Sequence, residues 1–118
     1  MKKVFLFTVA LIVFSCGGKE EIPEDILSEA QMVDLLIDIR IAEGKVSNLT
    51  LSTDSSTILF KVLEDQIFAE RKIDSSNYMA SYNYYLLNPD KFLRITDIVI
   101  DSLKVRQQIQ TTGRRPTN

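Results

Sequence analysis

The chain has no histidine and no tryptophan, one cysteine, three prolines and four glycines in 118 residues. Each shortage closes a route. Without histidine, the commonest general base and a standard zinc ligand are gone. The lone Cys16 can form no internal disulfide. The few glycines and prolines leave long stretches free of helix breakers. A basic surplus is missing as well: 14 Lys and Arg stand against 16 Asp and Glu, a net charge of -2. Neutralising phosphates needs a basic face, so no nucleic-acid partner is expected.

What is present is ordinary globular material, 45% apolar and 25% charged. At this length one small domain with its own core is the expectation. The start of the chain is different. Met1-Lys2-Lys3 is positive, and Val4 to Phe14 is apolar apart from Thr8. Those eleven residues, at about 1.5 Å each, cover roughly half of a ~30 Å hydrocarbon core. That is too short for a membrane span and right for the apolar part of a signal peptide.

An ordinary signal ends at small residues of the A-x-A type. Here the run ends Val13-Phe14-Ser15-Cys16. This resembles the lipobox of bacterial lipoproteins, with an aliphatic residue three before the cysteine and a small one just before it. Phe14 departs from the small residue usual at its position. The resemblance implies cleavage between Ser15 and Cys16, removal of residues 1–15, and acylation of Cys16 with palmitate-like chains. An ordinary export signal or an N-terminal helix of the fold would leave the position of the sole cysteine unexplained. Loss of Lys2 and Lys3 leaves 12 basic against 16 acidic residues, a mature charge of -4.

Residues 16–27 read as a tether. Gly17-Gly18 is flexible, Lys19-Glu20-Glu21 is solvated, and Pro23, Glu24 and Asp25 follow. Lys19, Glu20 and Glu21 also resemble the signal that sends lipoproteins of Bacteroidota to the outer face of the outer membrane. The alternative is a plain soluble linker that leaves the domain on the periplasmic side.

The body reads as all-α, a small bundle of about four helices over residues 28–108, near 29–43, 55–72, 75–87 and 89–108, with a disordered tail over 109–118. Ser28-Glu29-Ala30-Gln31 has the form of a capping box, and Met32, Leu35, Leu36, Ile39 and Ala42 recur at helical spacing. Gly44 is the expected stop. Asp54 and Asp74 are the expected caps of the second and third helices. Leu59, Val62, Leu63 and Ile67 stripe the second, with Phe60 and Phe68 beside them. Tyr78, Tyr82, Tyr85 and Leu86 share one face of the third. Asn88-Pro89-Asp90 opens the fourth, with Asn88 capping and Pro89 at a position where its missing N–H costs nothing. Phe92, Ile95, Val99 and Leu103 then follow the helical period.

The run from Ile22 to Glu43, "IPEDILSEAQMVDLLIDIRIAE", and the run from Ile73 to Leu103 resemble the domain of unknown function 4296 family, small helical lipoproteins of Bacteroidota. The resemblance covers most of the mature chain and implies fold and location, with no activity attached. Arg40 stands where the family is expected to carry histidine, so no histidine chemistry transfers to this chain.

Few residues are left for catalysis. Asp34 and Asp38, and Asp97 and Asp101, are i, i+4 pairs. Two such pairs facing each other can hold a hard cation, but solvated helix faces are the simpler reading. No catalytic residue, metal or cofactor is assigned, and a carboxylate-based hydrolase is the remote alternative. The tyrosine helix offers a binding surface instead. Tyr84 lies off the 78/82/85 line and is expected to be exposed, so Tyr78 and Tyr84 are the candidate contact residues. Asn48-Leu49-Thr50 and Asp101-Ser102-Leu103 have the form of glycosylation triplets, but neither context favours use.

These readings add up to a lipid-anchored outer-membrane helical domain, an interaction or accessory module of the cell envelope with an envelope protein as partner. The alternative is a chaperone-like domain binding a peptide or ligand along the tyrosine face.

Overall fold

The structure, a computed structural model, describes residues 21–113. It is all-α, as expected, with four helices: α1 Glu29–Ser47, α2 Thr53–Arg71, α3 Ser75–Leu86 and α4 Pro89–Gly113. None of them is long and apolar enough to cross a membrane.

The capping box opens α1 as read. The Gln31 amide donates to Ser28 Oγ at 3.2 Å, and the Ser28 amide donates to Gln31 Oε1 at 2.9 Å. Gly44 does not stop the helix. A mid-helix glycine costs only about 0.5–1 kcal/mol, and the turn beyond it buries Val46 at 6% exposure. The α1 burial is not a single stripe. Met32, Val33, Leu35, Leu36, Ile37 and Ile39 are all buried, so neighbours cover this helix on several sides.

The cap of α2 is Ser52, two residues before the expected Asp54; its Oγ accepts from the Ser55 amide at 3.3 Å. Asp54 sits in the first turn, where its charge still favours the positive helix end. At the other end, Ile73 N–H donates to Phe68 O at 3.0 Å and Lys72 N–H to Ala69 O at 3.2 Å. This is a Schellman closure, and it holds Lys72 left-handed at φ 53. A side chain there is strained, so Lys72→Gly is expected to stabilise the domain by about 0.5–1 kcal/mol. Urea unfolding of the two proteins checks this; an unchanged midpoint would mean that the strain is negligible.

Asp74 caps α3 as expected, accepting from the Ser76 amide at 3.1 Å. Asn88 behaves differently from the expectation. Its side-chain amide donates to Tyr84 O at 2.7 Å and closes the end of α3, while its backbone carbonyl starts α4 by accepting from Phe92 N–H. Pro89 takes the first helical position. The last helix does not fade near Gln108 but continues to Gly113. Nothing between those residues breaks a helix, and the Thr111 and Thr112 hydroxyls donate to Gln107 O and Gln108 O at 2.9 Å each. Residues 104–113 are exposed throughout, so propensity rather than packing carries these turns.

Contacts along α1 give the topology. Val46 and Ser47 near its end line a hollow with Ser56 and Phe60 of α2, and Asp38 at its middle pairs with Arg71 at 2.6 Å. The α2 helix is therefore antiparallel to α1 and reaches only halfway. From there α3 continues in the same sense: Tyr78 packs on Phe68, and the Tyr85 hydroxyl donates to Leu27 O beside the start of α1 at 2.7 Å. The last helix returns parallel to α1, with Arg94 on Glu29 at 2.7 Å and Leu103 to Gln110 beside Lys45 and Asn48. The molecule is thus a three-column bundle: α1, then α2 and α3 in succession, then α4.

Leu27 was expected in the tether but belongs to the domain. It is 9% exposed, and its N–H donates to Ser81 Oγ at 2.8 Å. The fully buried residues Met32, Leu35, Tyr85 and Ile95 form the centre of the core.

Candidate functional site: an aromatic-lined cleft

One line of α1 carries Leu36, Arg40, Glu43 and Ser47, at the spacing that places residues on one helix face. The α2 and α4 columns stand on either side of it. Between them lies a cleft with two hollows. The first, about 270 Å³, is lined by Leu36, Arg40, Tyr82, Phe92, Thr96, Val99, Ile100 and Leu103. The second, about 240 Å³, is lined by Glu43, Val46, Ser47, Ser56, Thr57 and Phe60. Arg40 and Glu43 separate them, paired at 2.8 Å.

Aromatic rings close the inner end. Phe68, Tyr78, Tyr82 and Phe92 form a continuous row, with successive ring centroids 5.4, 6.0 and 5.9 Å apart. The row joins the end of α2 to the start of α4 through α3. Edge and tilted contacts at these distances are favourable beyond the area they bury. Burial, followed by the neighbouring Tyr82, pushes the Tyr78 phenol above its ordinary range. The hydrogen bond that Arg40 donates to Glu43, and the charge of that carboxylate, raise Arg40, against the opposing effect of burial. Arg40 is thus a fixed cation at the rim of an apolar hollow.

Two further hollows beside α1 are less suited to recognition. One, between α1 and α2, is about 310 Å³ and lined by Asp38, Lys45, Gln66 and Glu70 among others. The other, about 540 Å³, opens between the end of α1 and the exposed turns of α4. Neither contains an aromatic ring.

The expected contact residues are not brought together. Tyr78 lies in the aromatic row. Tyr84, expected exposed, is half-buried: it packs edge-on against Tyr85 at 5.2 Å, and its hydroxyl accepts from Lys91 Nζ at 3.3 Å. That ammonium is 5.5 Å from the ring centroid. Leu86, expected on the core face with Tyr85, is 48% exposed. Ser81, one turn before Tyr85, takes the buried place instead.

The acidic pairs do not converge. Asp34, Asp97 and Asp101 are exposed, and Asp38 pairs with Arg71. Among the described residues no three His, Cys, Asp or Glu side chains are placed to share a metal ion. Asn48 caps α1, and Ser102 is half-buried within α4. Glu21 is exposed, while Ser15, Cys16, Lys19 and Glu20 lie outside the described residues.

Sequence reasoning missed the pairing of Arg40 with Glu43 and the clamp of Ser81 and Tyr85 on Leu27. The first had a visible i, i+3 signal. The second spans more than 50 residues of chain, and only the odd serine within a tyrosine stripe hinted at it.

A small all-α bundle with an aromatic cleft is the class that fold and site define. Within that class the chain belongs to the domain of unknown function 4296 family, whose profile matches residues 23–109. No curated protein and no solved structure matches it.

Proposed function

We propose that the protein is a lipid-anchored interaction module of the bacterial outer membrane, which holds an apolar segment of another envelope protein in the aromatic cleft. The signal-like N-terminus and the lipobox-like Val13-Phe14-Ser15-Cys16 support the anchor. Lys19, Glu20 and Glu21 support the outward face. Palmitate-like chains on Cys16 hold the domain at about 0.8 kcal/mol per buried CH₂.

The observation that carries the binding role is the cleft itself. A hollow of about 270 Å³ is at the small end for a drug-sized ligand or cofactor, whose pockets run from about 300 to 1,000 Å³. It suits one or two anchoring side chains of a partner segment, the way apolar anchors fill pockets at interfaces. Arg40 and Glu43 supply both signs of charge at its edge. A chaperone-like peptide binder would use the same cleft with less selectivity. Catalysis is not part of this reading, because the carboxylates stand apart.

Ile100 lines the hollow and is 43% exposed, so a charge there should spare the fold. The Ile100→Glu variant is expected to weaken capture of the partner from solubilised envelopes by about tenfold or more. Equal capture by wild type and variant would remove the cleft from the interface. No reproducible partner with either would remove the interaction role.

A further inference from the structure

We propose that the corner between α3 and α4 is a membrane-contact surface: Leu86 and Leu87, with Leu93 in the next helix, rest in the lipid interface and hold the bundle end-on to the bilayer. The inference rests on the lipid-anchor reading above. Beside Asn88, Pro89 and Asp90, the residues usual in a turn, the corner exposes three leucines. Leu87 is 84% exposed, Leu93 59% and Leu86 48%.

This corner is also where the chain arrives from the anchor. Leu27 is bonded by Ser81 and Tyr85, and Tyr85 immediately precedes Leu86. The preceding turn is packed rather than loose, with Ile26 N–H on Pro23 O at 3.0 Å and Ile26 against the core. From Cys16 to Glu21 is five residues, which reach at most ~18 Å in any conformation. The acylated cysteine, and the bilayer with it, is confined to this end. From here α1 runs about 28 Å to its other end. The outer hollow of the cleft, at Val46 and Ser47, therefore opens away from the lipid, where a partner can reach it.

The charges around the corner select the mode of contact. Glu24, Asp25, Glu29 and Asp90 outnumber Lys91 and Arg94. Attraction to anionic lipid is therefore not the driving force. The contact is apolar burial, and high salt should leave it unchanged.

The absence of tryptophan gives a clean test. Mature acylated protein, beginning at Cys16 and carrying Leu87→Trp, is placed on phosphatidylcholine vesicles with and without bromine on the acyl chains. Leu93→Trp is a second reporter, and Ile58→Trp, 67% exposed on α2, is the control. The expected result is a blue shift and loss of emission on brominated vesicles at 87 and 93, with neither at 58. Protein that floats with the vesicles but shows solvent-like, unquenched emission at 87 and 93 overturns the corner and leaves the anchor standing. Protein that carries no acyl chain and does not float overturns both.

Discussion

Tyr85→Ala is expected to lower the unfolding free energy by about 3–5 kcal/mol, the range for deleting a buried aromatic side chain. Domains of this size hold only about 5–15 kcal/mol, so the variant should lose a large share of its total stability. Two effects combine. Tyr85 is fully buried beside Met32, Leu35 and Ile95, so its removal leaves a cavity at the centre of the core. Its hydroxyl also donates to Leu27 O at 2.7 Å, and that carbonyl loses its donor. Tyr85→Phe separates the two. It keeps the ring and is expected to cost about 1–3 kcal/mol, the penalty for a buried acceptor left unsatisfied. Urea unfolding followed by circular dichroism measures both. A Tyr85→Phe protein as stable as wild type would mean that the Leu27 carbonyl is satisfied without the phenol, and that the tether junction is not fastened as described.

The fold was largely legible because helical period and caps are local signals. Ser28 with Gln31, Asp74, and Pro89 at the start of the last helix all stand where the residues indicate. The errors come from competition among neighbours. Ser52 won the cap from Asp54, Gly44 was carried through by the burial of Val46, and the tail stayed helical because nothing in it breaks a helix. The cleft was only half legible. Tyr78 and Tyr82 were visible as a stripe, but their partners Phe68 and Phe92 lie on other helices. A single helix period cannot show which elements a stripe meets. Tyr84 was misplaced for the same reason: the period places it off the stripe but does not reveal that Lys91 and Tyr85 enclose it.

Cys16→Ala is expected to have the largest effect on the protein in the cell. The apolar run of eleven residues before it spans about half a bilayer core and gives no stable anchor by itself. Dual or triple acylation contributes about 0.8 kcal/mol per buried CH₂, enough for stable anchoring of a soluble domain. Without Cys16 there is no attachment point, since the chain contains no second cysteine. The variant should disappear from the outer membrane while its helical domain remains folded, because the described core begins only at Leu27.

The intact mass of the protein purified from the outer-membrane fraction tests the account most directly. The predicted wild-type chain begins at Cys16 and is heavier than its sequence by the mass of its acyl chains, and Cys16→Ala is absent from the fraction. A wild-type chain found there with an unmodified Cys16 would contradict the account.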